Sequence, residues 1–298
     1  MSEQLRRVTI IHVLPLFLIP IISSLLSNLV IMSGILEDVE SPFIREEGVT
    51  SLTHNLITFG VMFVPTVVLI YLLVKGKMIL LLKLIFALSL AFAFATVTDL
   101  YLEALLIVFN VYEELYYLAL VLSILAALQA VYIAFRDVPE AYEALVCFTF
   151  GVAVGTFFAN LLPLWSVIVL SLLISIYDLY AVFYGPLKRL IELEKEIVGH
   201  GSSGTGTPKA FLLRGMTVPF FGFRVGLGDI IFYSMIITSA YMNPRPSIIR
   251  SLITTVGIAI GAYITLRILT KKRRAMPAMP IPSLISISLL IILLFIGF

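Results

Sequence analysis

Charge is scarce in this chain. Asp, Glu, Lys and Arg make up 13% of it, against ~25% in a soluble globular domain. That excludes an ordinary soluble enzyme, a disordered chain and a nucleic-acid binder with a basic face. Cysteine is nearly absent. Cys147 stands alone, so an intramolecular disulfide and a multi-cysteine metal site are excluded, and the redox compartment stays unread. The histidines His12, His54 and His200 lie near span ends or in a linker. That leaves no intramembrane Ser–His pair. No H-E-x-x-H is present, which argues against a membrane zinc protease, and nothing calls for a metal or a cofactor. Glu113-Glu114 has the look of paired catalytic acids, but it reads as a solvated loop face. No internal repeat is evident.

What the chain has is apolar length. It is 60% hydrophobic over 298 residues, with a mean hydropathy of +1.10. A helical span needs ~20 apolar residues, which leaves room for roughly nine to eleven spans and no large soluble domain. Nine apolar runs are visible, near 8–33, 53–74, 78–98, 115–135, 143–162, 165–184, 226–242, 248–268 and 278–298. The sequence predicts an all-α polytopic membrane protein of nine spans. The first run is longer than a signal-peptide core of about 7–15 residues, so it is read as a retained span. Three parts follow: 1–184 with spans one to six, a 185–225 connection, and 226–298 with spans seven to nine.

The positive-inside rule orients the chain. Sixteen of its twenty Lys and Arg fall in alternate connections on one side. Arg45, Arg245 and Arg250 lie on the other, with Glu37, Asp38, Glu40, Glu46, Glu47, Asp99, Glu103, Glu113 and Glu114. The N-terminus is therefore expected in the cytoplasm and the C-terminus outside, in a cell membrane. Lys83, inside span three, is expected to snorkel. Lys271 to Arg274 reads as a topology anchor or an anionic-lipid contact. Trp165 reads as an interface anchor. In the 185–225 connection, Leu187 to Val198 has helical spacing and 199–208 has the composition of a flexible linker. Thr217 to Phe223 suits extended chain.

Most acids lie in loops or near span ends, but two do not. Asp178 sits in span six, in Tyr177-Asp178-Leu179, and Asp229 at the start of span seven, in Gly226-Leu227-Gly228-Asp229. An ionisable group at a helix centre costs ~2.5–3.5 kcal/mol on insertion scales, so it is a functional candidate. The two Asp flank one connection and lie at matching depth, so packing of spans six and seven would bring them together. Close carboxyls in a low dielectric share a proton. One then activates water while its protonated partner polarises a carbonyl. Glycines before Asp229 let backbone approach closely. The prolines of Met276-Pro277-Ala278-Met279-Pro280-Ile281-Pro282 disfavour helix and predict an extended lead into span nine, or a plain loop with proline in its first turn. The main rival is a proton-coupled secondary transporter using the Asp pair as a relay. A prepilin-type aspartyl peptidase also uses G-x-G-D, but the positions of the first Asp and of the proline motif disfavour it.

Tyr177-Asp178, Gly226-Leu227-Gly228-Asp229 and Pro277-Ala278-Met279-Pro280 resemble the Y-D, G-x-G-D and P-A-L-P motifs of presenilin and signal peptide peptidase, the intramembrane aspartyl proteases. Motif order, host spans and span count are similar, and the short chain is similar to the prokaryotic, mostly archaeal, presenilin homologues. The likeness covers the whole chain in architecture and these motifs in specific residues. It implies that Asp178 and Asp229 are the catalytic pair. Tyr177, Gly226, Leu227, Gly228, Pro277, Ala278 and Met279 would support the site or bind substrate. It implies protein substrates with a single transmembrane helix and a cytoplasmic C-terminus, cut within the helix. Met279 departs from the family leucine, a mild change in volume. Thr217 to Phe223 could pair with an unwound substrate as an added strand, or merely plug the site. Membrane lipid is the expected surrounding, no nucleic-acid partner is expected, and oligomeric state is not legible.

Overall fold

The computed structural model describes residues 8–37, 39–185, 214–220, 222–272 and 277–297. Among them, nine α-helices and one β-hairpin form the fold. In chain order they are α1 (Ile19–Ser33), α2 (Val49–Lys75), α3 (Ile79–Val108), α4 (Tyr112–Phe135), α5 (Glu140–Leu161) and α6 (Leu164–Phe183). There follow β1 (Thr217–Phe220), β2 (Phe223–Gly226), α7 (Leu227–Met242), α8 (Ile248–Lys272) and α9 (Pro280–Phe295). Seven helical stretches are long and apolar enough to cross a membrane, and α7 and α9 are shorter apolar helices. The predicted all-α, nine-helix architecture is the one observed. The expectations for Leu187 to Val198 and for 199–208 lie outside the described residues, as does the Arg273-Arg274 part of the basic cluster.

The first span opens with a turn of 3-10 helix at Leu14–Leu18, and prolines sit in the first turn there and in α1. A missing amide costs nothing at those positions. The largest boundary difference is in α3. It runs ten residues past the predicted end at 98, so Asp99 and Glu103 ride on helix rather than in a loop. Thr98-Asp99-Leu100-Tyr101-Leu102-Glu103 keeps its apolar residues at helical spacing. Asp99 is accommodated by the Ser123 hydroxyl of α4, which donates to it at 2.9 Å. Lys83 is buried at 3% exposure, its Nζ 5.1 Å from the centre of the Phe135 ring. Glu113 and Glu114 are exposed in the first turn of α4, where acids suit the helix dipole.

Helices α5 and α7 form the centre. Lipid offers no hydrophobic drive for helices to associate, so small residues and buried hydrogen bonds join them. A Cβ on Gly155 of α5 would lie 1.8 Å from Ser234 Oγ and 2.2 Å from the Ile231 carbonyl oxygen of α7. Only glycine allows that approach. Gly261 of α8 does the same toward α9, where a Cβ would meet Pro282 Cα at 2.4 Å. Hydroxyl and amide pairs add polar links. Ser27 donates to Asn160 at 3.0 Å, Tyr241 to Asn28 at 3.0 Å, and Thr156 and Thr238 share a proton at 3.3 Å.

Arg250 needs a different reading from the loop-charge one. It is 2% exposed and points back at the C-terminal end of α7. Its Nε donates to the Ala240 carbonyl at 2.6 Å, and Nη2 to those of Tyr241 and Arg245. A guanidinium there satisfies carbonyls that the helix end leaves open. This arginine is a structural clamp rather than a topology signal.

Candidate active site

The two short helices, α7 and α9, are the two that begin at the candidate site. Each is preceded by non-helical backbone, which at membrane depth is tolerated only against protein or a wet cavity. Before α7 lies the antiparallel β1–β2 hairpin, with Thr217 opposite Gly226, Val218 opposite Val225, Pro219 opposite Arg224 and Phe220 opposite Phe223. The extended chain expected at Thr217 to Phe223 is thus a hairpin strand and the start of its partner. The Leu227 amide donates to the Met216 carbonyl at 2.8 Å, closing the hairpin base. Before α9, the described residues Pro277 to Met279 are non-helical, and Pro280 and Pro282 already lie within the helix. Of the two forms anticipated for the segment, the loop with proline in the first turn of the helix is the one seen, since Met279 already has helical dihedrals.

Asp178 stands on α6, five residues before its end, and Asp229 is the third residue of α7. Both carboxyls line a single cavity of about 440 Å³ and lie within electrostatic reach of each other. Each is held by a backbone amide. Met279 N–H donates to Asp178 Oδ2 at 3.1 Å, and Gly226 N–H donates to Asp229 Oδ2 at 3.1 Å. The second contact is half of a capping box: the N3 carboxylate accepts the N-cap amide. Gly226 is also sterically required, because a Cβ there would sit 2.8 Å from Asp229 Oδ2. Gly228 faces open space, with nothing within 4 Å of a would-be Cβ.

Tyr177, Asp178, Gly226, Gly228, Asp229 and Met279 meet at this cavity. Leu227 does not line it. Its side chain turns into the core, 3.0 Å from a would-be Cβ on Gly151. A residue two before Asp229 on a helix points to another face. Ala278 contributes backbone, and its carbonyl accepts the Tyr233 hydroxyl at 2.8 Å. Pro277 is buried beside it. The Tyr177 ring packs edge-on against Phe63 of α2, with centroids 4.9 Å apart.

The sequence reading missed Tyr233, Phe59 and Phe63. Tyr233 lies one helical turn after Asp229, so its i,i+4 spacing was a usable signal. Phe59 and Phe63 wall the cavity from α2 and form a stacked pair 5.4 Å apart. Nothing in an apolar helix marks which phenylalanines face a distant Asp.

The comparisons with known proteins point one way. The presenilin family model matches residues 215–297, the stretch that holds the hairpin, Asp229 and the proline motif. Presenilin-B of Dictyostelium discoideum is 32% identical over 129 residues, 40% of this chain. The chain spans about a quarter of that relative's length, 24%. Two crystal forms of a presenilin family intramembrane aspartate protease align over nearly the whole chain. The C222 form covers 94% of this chain and 98% of its own, at TM-score 0.52 and 17% identity. The P2 form covers 95% and 98%, at TM-score 0.53 and 16% identity. The fold is similar to that of these two solved structures. The resemblance carried by the three presenilin motifs and the architecture of the whole chain agree. Each of the three motif segments sends residues to the cavity: Tyr177 and Asp178 from the first, Gly226, Gly228 and Asp229 from the second, and Met279 from the third.

Proposed function

We propose that this protein is an intramembrane aspartyl endopeptidase in which Asp178 and Asp229 share one proton and activate a water. One observation carries the reading. Two carboxyls from neighbouring spans line the same apolar-walled cavity, each with one oxygen fixed by a backbone amide. The carboxylate takes a proton from water as the oxygen attacks the scissile carbonyl. The protonated partner donates to that carbonyl oxygen, and the proton then passes to the departing amine. Preset amide dipoles spare the site reorganisation in the transition state.

The substrate is a transmembrane helix. Its peptide bonds are closed within i→i−4 hydrogen bonds, so cutting requires local unwinding. The β1–β2 hairpin lies immediately before Asp229 and offers strand edges to an unwound segment. The charge bias of the connections puts the N-terminus and the hairpin on the cytoplasmic side and the C-terminus outside. The substrate's C-terminus would then be cytoplasmic.

The test is cleavage of a fluorescent single-span reporter by purified protein in liposomes. Wild type is expected to cut, and folded Asp178→Ala and Asp229→Ala variants are expected not to. Cutting that survives either change rejects the dyad. Ion-dependent uptake without cleavage would favour the transporter.

A further inference from the structure

The acid this chemistry leaves unused is Glu143. It lies in the first turn of α5 and is 2% exposed. A carboxylate so buried needs a paired cation and hydrogen-bond donors, and it has both. Arg224 of β2 meets it with its whole fork: Nη1 donates to Oε1 and Nη2 to Oε2, each at 3.3 Å. The Gly215 amide donates to the same Oε1 at 3.4 Å. Arg224 Nη1 also donates to Thr217 Oγ1 of β1 at 3.0 Å. One buried carboxylate therefore grips both strands and the chain entering them. A second pair repeats the arrangement at the neck, with Arg214 3.5 Å from Asp137.

The hairpin leads directly to the site. Arg224 precedes Gly226 by two residues, and the Gly226 amide fixes Asp229 Oδ2. Thr217, the other residue on the Arg224 fork, is the register partner of Gly226. Displacing Arg224 would therefore displace, through at most two residues of paired strand, the donor that aims Asp229. A planar fork locked on two carboxylate oxygens fixes direction as well as distance, which a lysine would not.

We infer that Glu143 and Arg224 are positioning residues: their ion pair pins the hairpin to α5 and so aims the Asp229 carboxyl. The inference rests on the proposed peptidase reading. Neither side chain lines the Asp178–Asp229 cavity, so the pair acts through the hairpin and not on the reacting atoms. A pair that served stability alone would lower the melting temperature and leave kcat per folded molecule unchanged. A positioning pair lowers kcat per folded molecule, and KM rises only as far as the loosened hairpin also meets the substrate.

The experiment is a double-mutant cycle on Glu143→Gln and Arg224→Gln in liposomes, with reporter cleavage and hydrogen exchange of residues 214–226 measured on each protein. Each single change is expected to lower kcat about tenfold, with a smaller rise in KM from the loosened hairpin. The double variant is expected to lose no more than the worse single, because coupled residues are not additive. Exchange at Val218 and Val225 is expected to quicken in all three. Arg224→Lys keeps the charge and loses the fork, and is expected to fall between wild type and Arg224→Gln. Additive losses overturn the inference, as do unchanged exchange or faster exchange with unchanged kcat. Should Glu143→Gln fail to fold, the partly exposed Arg224 variants carry the same test. A wild type that does not cut would count against the peptidase itself, and exchange alone would then decide whether the pair anchors the hairpin.

Discussion

The backbone amide of Met279 donates to the Asp178 carboxylate at 3.1 Å across 101 positions of sequence. The entry to α9 thus fixes an acid on α6, as the entry to α7 fixes its own Asp229. The two carboxyls of the proposed dyad are thus each oriented by a main-chain donor, which has no side-chain torsion through which to relax.

That contact predicts an asymmetry at position 279. Met279→Leu keeps the amide and is expected to stay within about twofold of wild type in kcat. Met279→Pro removes the donor, and a hydrogen bond to a charged group is worth about 1.5–3 kcal/mol. Loss of kcat by about 10–100-fold is expected, checked by reporter cleavage on protein of confirmed fold.

The two glycines before Asp229 separate in the same assay. Gly226→Ala would put a Cβ 2.8 Å from Asp229 Oδ2, so the carboxyl must turn, and kcat should drop by at least about tenfold. Gly228→Ala meets nothing within 4 Å. It should leave the melting temperature unchanged and raise KM by narrowing the cavity. Equal kcat losses in both would defeat this account.

Gly155→Ala tests the centre of the fold. Its Cβ would fall 1.8 Å from Ser234 Oγ and 2.2 Å from a backbone oxygen, forcing α5 and α7 apart. Overpacking of this kind costs about 1–3 kcal/mol or more. A clear fall in melting temperature is expected in detergent, while Gly60→Ala, with nothing within 4 Å, should show none.

Arg250→Met leaves the Ala240, Tyr241 and Arg245 carbonyls without the guanidinium that serves them. Buried unsatisfied acceptors cost about 1–3 kcal/mol each. Reduced thermal stability is expected, with membrane orientation unchanged in a protease-protection assay. Unchanged thermal stability would overturn the clamp.

Helix count, the two Asp, and the glycine and proline segments were legible because bilayers impose a strong local code: apolar length, and acids where none belong. The end of α3 was not. Asp99 and Glu103 look like a boundary in a string of letters, and only the Ser123 hydroxyl of another helix makes Asp99 tolerable there. The partners of Arg250 and Glu143 were not legible for a related reason. Charges near span ends read as loop charges until their partners, α7 carbonyls and Arg224, are brought in from elsewhere in the chain. Leu227 belonged to the right motif and pointed to the wrong face, since a motif does not say which way each member turns.

The shortness of α7 and α9 has a consequence for the lipid. Sixteen residues of helix reach about 24 Å, while hydrocarbon is about 30 Å thick; α2 and α3 have 27 and 30 residues. Two helices of the fold are thus shorter than the hydrocarbon is thick, while α2 and α3 exceed it. A substrate span of the proposed kind and of ordinary length would extend about one turn beyond these two helices. Bilayer thickness then becomes a control on how readily the span frays, and thicker bilayers should oppose it.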